Sequence, residues 1–115
     1  VPAIQLGHTG RKGSETKPWE GKLQLPPDHP EGWQVRAPSA IPYGGRYTYP
    51  VQELTVAEIH DLHRAYAEAA RRALAAGFEW LEMHFAHGYL GASFFSPIAN
   101  RRTDGYGGSL ENRLR

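Results

Sequence analysis

The chain has 115 residues, 40% of them hydrophobic and 22% charged, and its 13 Lys+Arg against 12 Asp+Glu leave a formal net charge of +1. That is the length of one small domain, with no surplus of positive charge for gripping a phosphate backbone. Zero cysteines exclude disulfides, thiolate metal sites and a cysteine nucleophile, and nothing argues for an oxidising compartment, so a cytoplasmic location is expected. No apolar stretch approaches the ~20 residues of a membrane-spanning helix, and Val1-Pro2-Ala3-Ile4 carries no basic leader. A soluble chain with neither nucleic acid nor membrane as partner is expected.

Val1-Pro2-Ala3-Ile4-Gln5-Leu6, followed by Gly7 and Gly10, predicts a short buried strand. Residues 11–50 contain Pro18, Pro26, Pro27, Pro30, Pro38, Pro42 and Pro50 with glycines between them, so no helix is expected there. An irregular connection of this length is usually functional, often a lid or binding loop. Aromatic residues at Trp19, Trp33 and positions 43–49 are its expected anchors by burial. Thr55 and Glu58 stand at capping-box spacing, with Leu54 as a staple. Val56, Ile59, Leu62, Tyr66, Ala69, Ala70 and Ala73 recur at helical steps, opposite Glu58, Asp61, Arg64, Glu68, Arg71 and Arg72. Gly77 is placed to end this helix, and residues 78–85 read as a second strand.

Strand, helix, strand normally means parallel strands joined by a right-handed crossover, in a sheet covered on both faces. Two strands and one helix cannot build that alone, so a piece of a larger α/β fold is expected. The carboxyl end of the second strand, where α/β folds place their active sites, carries His84, His87 and Tyr89. Alternation puts Trp80, Glu82 and His84 on one face, with Glu82 expected to be buried and paired.

Three readings of His84-x-x-His87 compete. Glu82, His8, His84 and His87 are together enough ligands for zinc, although paired zincin histidines stand four apart on a helix. Alternatively, the two histidines merely satisfy local hydrogen bonds. In the third reading two imidazoles donate to one carbonyl or phenolate oxygen, with Tyr89 as a nearby proton source. Gly105-Tyr106-Gly107-Gly108-Ser109 lacks the lysine of a phosphate loop and predicts a tight turn with Ser109 as a helix N-cap. Arg101-Arg102 and Arg113-x-Arg115 are expected to be solvated or ion-paired.

His84-Phe85-Ala86-His87-Gly88-Tyr89-Leu90, then Phe94-Phe95-Ser96-Pro97, Asn100-Arg101-Arg102-Thr103-Asp104-Gly105-Tyr106-Gly107-Gly108-Ser109 and Glu111-Asn112-Arg113, resembles the central signature of the old yellow enzyme family of flavin-dependent ene-reductases. Ile4-Gln5-Leu6-Gly7-His8-Thr9-Gly10-Arg11-Lys12 is similar to that family's third barrel strand, and Ala37-Pro38-Ser39-Ala40-Ile41 resembles the excursion after it. Gly7 and Thr9 depart from the alanine often found in relatives. The resemblance implies an α/β fold in which residues 1–115 are the central fragment of one FMN-binding (β/α)8 TIM-barrel domain. They would supply strand three, a long excursion over residues 11–50, helix three, strand four and the start of helix four.

The resemblance also implies roles. Gln5 matches the glutamine at the flavin pyrimidine edge, and an amide suits that edge because it offers both donor and acceptor. His84 and His87 match the pair that holds the substrate's activating oxygen, and Tyr89 matches the proposed proton donor. His87 and Phe85 resemble the bacterial xenobiotic-reductase branch, where yeast-like enzymes carry Asn at the second histidine. The implied reaction uses FMN, with NAD(P)H as hydride donor, to reduce the C=C bond of a small-molecule enone or nitroalkene. The full-length protein would be a homo-oligomer. The alternatives are a related FMN barrel dehydrogenase that oxidises amines, or a flavin- or ligand-binding protein without ene-reductase activity.

Overall fold

Thr55 starts the one long helix, α1 (Val56–Ala75). Its hydroxyl accepts a hydrogen bond from the Glu58 N–H at 3.2 Å, while the Glu58 carboxylate accepts one from the Thr55 N–H at 2.8 Å. These bonds from Thr55, with an ion pair to Arg36, hold the Glu58 carboxyl below its ordinary range. The helix closes at Gly77, which takes a φ of +92°. The Gly77 N–H then reaches the Leu74 carbonyl at 3.0 Å and the Phe78 N–H the Ala73 carbonyl at 3.1 Å. A side chain would strain that left-handed position. The expected stripe is the buried one, with Ile59 and Ala73 buried and Leu62, Tyr66, Ala69 and Ala70 half-buried, although Val56 stays exposed.

The computed structural model describes residues 1–115. Before α1 come β1 (Ala3–Gly7), two 3-10 turns at Gly10–Lys12 and Pro18–Glu20, β2 (Arg36–Ala37) and β3 (Gln52–Glu53). After it come β4 (Trp80–His84), α2 (Leu90–Phe95) and α3 (Leu110–Arg113). As the strand–helix–strand order predicts, β1 and β4 are parallel neighbours, in register from Ala3 opposite Trp80 to Gly7 opposite His84. Ile4, Ala70, Ala73, Phe78 and Leu81 line one small cleft, so one face of the pair packs on α1. The other face presents Gln5, Glu82 and His84. No barrel closes, because the pair has only two strands. That corrects two expectations: β1 forms as expected but holds no buried residue, with only Ile4 and Leu6 half-buried, and Glu82 is paired but exposed rather than buried.

Residues 11–50 also differ from expectation. Each of the two 3-10 turns is a single turn, short enough to coexist with the prolines. The aromatic anchors are mostly absent: Trp19 and Trp33 are 80% and 51% exposed, and Tyr47 alone of the group is buried. Val35, Ala37 and Val51 form the local core instead. The parallel pair β2–β3 closes it through Gln52 N–H to Val35 O (3.0 Å) and Leu54 N–H to Ala37 O (2.9 Å). Small side chains let the backbone of an irregular segment approach its partners and satisfy its polar groups.

A second cluster of Leu54, Ile59 and Leu90, with Leu62, Phe94 and Tyr106 against it, joins α1 to α2 and the chain after it. Arg102 ties the excursion to this body. Its side chain is 4% exposed and bonds the carbonyls of Pro38 and Leu54 and the carboxylates of Asp104 and Glu53. Ser109 caps α3 through its hydroxyl, as the turn sequence predicts. No helix is long and apolar enough to cross a membrane.

Candidate active site

The parallel register fixes the site. Gly7 opposite His84 and Gln5 opposite Glu82 put an amide, a carboxylate and an imidazole in sequence along one open face. The Gln5 amide nitrogen donates to Glu82 Oε1 at 2.8 Å. Beyond His84 the chain reverses in a four-residue turn closed by the Tyr89 N–H on the Ala86 carbonyl at 3.0 Å. His87 and Gly88 both take positive φ, +56° and +70°, the pattern of a type I′ turn. At Gly88 the positive φ favours glycine, and a Cβ would lie 2.5 Å from Cε2 of Tyr43, so a side chain there would also have to push that ring aside.

The turn folds the second imidazole back on the first. His87 Nδ1 lies 3.2 Å from His84 Nε2, with ring centroids 4.9 Å apart. The Tyr89 ring stands edge-on to His84 at 4.9 Å and 6.5 Å from His87. His84 and Tyr89 are half-buried and His87 is exposed, so the group opens to the solvent. Two imidazoles in contact share one proton between facing nitrogens; an oxygen entering between them can receive a hydrogen bond from each.

The other proposed zinc ligands are engaged elsewhere. His8 Nδ1 accepts from the Gly10 N–H at 2.9 Å, the His8 carbonyl accepts from the Leu90 N–H at 2.9 Å, and Glu82 holds Gln5. No three His, Asp or Glu side chains gather as metal ligands. Burial holds the His8 imidazole below its ordinary pKa of 6.5. An apolar cavity of about 180 Å³ lies among Leu62, Tyr66, Phe85, Phe94, Phe95 and Tyr106, at the α1–α2 junction and away from the histidine pair.

His84, His87 and Tyr89 crowd one strand end, as their positions in the sequence predict, whereas the strand register alone places Gln5 on the sheet face of Glu82 and His84. Sequence reading missed Lys12 and Tyr43. The Lys12 ammonium lies 4.6 Å from the centre of the Tyr43 ring, 5.6 Å from that of Tyr89 and 5.7 Å from that of Tyr47. No periodicity marks a contact between residues 31 apart in a loop.

The sequence profile of the NADH:flavin oxidoreductase / NADH oxidase family matches residues 2–115. The chain belongs to that family. Among similar proteins, an NADPH dehydrogenase from Bacillus pumilus is 46% identical over 113 residues, which are 98% of this chain and 28% of the relative. The structure of morphinone reductase in complex with tetrahydroNAD superposes with a TM-score of 0.79 at 36% identity, covering 96% of this chain and 31% of that one. An old yellow enzyme homologue from Zymomonas mobilis gives 0.71 at 37% identity over 95% of this chain and 29% of its own. These structural neighbours are TIM-barrel proteins, and this chain of the NADH:flavin oxidoreductase family spans under a third of their length. Its histidine pair stands where such folds do their chemistry, at the carboxyl end of a parallel strand.

Proposed function

We propose that residues 1–115 are the central part of one FMN-binding (β/α)8 barrel domain, and that the full-length protein reduces C=C bonds conjugated to a carbonyl or nitro group at the expense of NAD(P)H. In this reading β1 is barrel strand three, residues 11–50 are an active-site excursion, α1 is helix three, β4 is strand four and α3 begins helix four. The observation that carries it is the pair of imidazole nitrogens 3.2 Å apart with a phenol beside them. An oxygen about 2.8 Å from each nitrogen makes two ordinary hydrogen bonds.

The open face fits a flavin edge. The Gln5 amide gives one N–H to Glu82, which leaves its carbonyl and its second N–H without protein partners, as a pyrimidine edge with both donors and acceptors requires. Gln5 would hold the pyrimidine edge of FMN there, and the group's chemistry would be the transfer of hydride from NAD(P)H to the substrate's β-carbon. Glu82 fixes the rotamer of Gln5. His84 Nε2–H and His87 Nδ1–H donate to the substrate oxygen, which gains negative charge as the β-carbon accepts hydride, so both bonds strengthen in the transition state. Tyr89 gives its hydroxyl proton to the α-carbon, and the resulting phenolate, half-exposed, takes a proton back from water.

The test uses the FMN-loaded full-length protein. His84→Ala and His87→Ala should each weaken a phenolic ligand and slow enone reduction by the equivalent of roughly 1.5–3 kcal/mol, while flavin reduction by NAD(P)H changes less. Loss of a stoichiometric metal in these variants, with activity restored by zinc, would overturn the reading.

A further inference from the structure

We propose that Lys12 is a positioning residue of the His87–Tyr89 turn, holding the two imidazole nitrogens in the geometry that receives an oxygen; the proposal rests on the ene-reductase reading above. The Lys12 ammonium donates to the His87 carbonyl at 3.0 Å. It is half-buried and has no carboxylate within ion-pair distance, unlike Lys17, Arg36, Arg46, Arg64, Arg71 and Arg102. Its charge is met by the rings of Tyr43, Tyr47 and Tyr89, whose negative π-faces attract a cation.

His87 has a φ of +56°, a conformation that costs energy in a residue with a Cβ and persists only where the surroundings impose it. Lys12 and Tyr43 are those surroundings. Lys12 binds the carbonyl that follows the left-handed φ, and the Tyr43 ring packs against Gly88, where an added Cβ would lie 2.5 Å from Cε2 and displace it. Arg11, next in the same 3-10 turn, donates to the Ile41 carbonyl at 2.8 Å and to that of Pro42 at 3.3 Å, fixing the segment that carries Tyr43. One turn, Gly10–Lys12, therefore grips the excursion with one side chain and the histidine turn with the next. Without the ammonium the His87 carbonyl loses its protein donor and the turn is free to relax, carrying Nδ1 away from His84 Nε2.

The test compares Lys12→Met and Lys12→Arg in the FMN-loaded full-length protein, with 4-methoxyphenol as a neutral ligand and 4-hydroxybenzoate as an anionic one. Lys12→Met should weaken both by more than about tenfold, the loss expected for one hydrogen bond from a charged donor, with FMN content and Tm unchanged. Lys12→Arg, which keeps a cationic donor, should restore both to within about twofold of the parent. Weakening confined to 4-hydroxybenzoate would mean that Lys12 meets ligand charge directly, and would overturn the proposal. Loss of FMN or a lowered Tm in Lys12→Met, without rescue of ligand binding by Lys12→Arg, would make Lys12 a residue of the fold alone and overturn it as well.

A second readout stands apart from the ene-reductase reading. In ligand-free protein the imidazole ¹⁵N resonances of His84 and His87 report the shared proton, and Lys12→Met should shift both towards free tautomer averaging. Unchanged resonances would overturn the role of Lys12. Failure of the parent itself to bind either phenol would instead sink the ene-reductase reading, with the resonances still deciding whether Lys12 sets the turn.

Discussion

Replacing Arg102 by Met removes a guanidinium while keeping most of the apolar bulk, in a side chain that is 4% exposed. The lost bonds are unequal. Asp104 and Glu53 are 36% and 50% exposed, so water takes over their solvation and these ion pairs contribute little. The Pro38 and Leu54 carbonyls, at 2.9 and 2.5 Å from Nη1, are buried contacts. A buried acceptor left without a partner costs about 1–3 kcal/mol, so Arg102→Met should destabilise the full-length protein by roughly 3 kcal/mol. Arg102→Lys should recover less than half, because one ammonium cannot span both carbonyls and Asp104. Urea denaturation gives the loss, and limited proteolysis should show cleavage within residues 11–50 before global unfolding. A loss under about 1 kcal/mol, with no new cleavage, would refute the assignment of Arg102 as the clamp on the excursion.

Thr55→Ala breaks the capping box of α1 and should cost about 1 kcal/mol by denaturant midpoint, with Thr55→Ser close to neutral. His8 has a lowered folded pKa, so below pH 6.5 the unfolded chain takes up its proton before the folded chain does. The stability His8 confers is complete above pH 6.5 and is lost as the pH falls through the lowered folded value. A scan of Tm against pH should therefore fall less steeply on acidification in His8→Gln than in the parent. The Asp104 carboxyl is held low chiefly by its hydrogen bonds from Arg102, with a backbone bond from Tyr106. Arg102→Met should move its titration, read by side-chain ¹³C shifts, upward towards the ordinary carboxylate range.

Local chemistry was legible in the sequence. Thr55 with Glu58, Gly77 and Ser109 each act within a few residues of themselves, and each does what its spacing predicts. The parallel pairing of β1 with β4 followed from a connectivity rule. The histidine contact was legible in part, since the spacing of His84 and His87 did not announce the left-handed φ that brings their nitrogens together. Long-range partners were illegible for a physical reason. Arg102 reads as a surface cation until Pro38 and Leu54, 64 and 48 residues earlier, are brought to it. The tryptophans of the excursion read as anchors by hydrophobicity alone, whereas Val35, Ala37 and Val51 are small enough to fit under its hydrogen-bonded backbone. Glu82 is exposed because the sheet face that carries it has only two strands.

The most direct test of the ene-reductase reading isolates the Tyr89 hydroxyl. Tyr89→Phe keeps the ring against His84, so FMN content and flavin reduction by NAD(P)H should persist. Stopped-flow reoxidation of the reduced full-length protein by cyclohexenone should slow by about a hundred- to ten-thousand-fold, the usual worth of a positioned general acid. Reoxidation by a quinone, which needs no proton on carbon, should hardly change. Equal slowing with both acceptors, or no slowing with either, would contradict the assignment of Tyr89 as the acid.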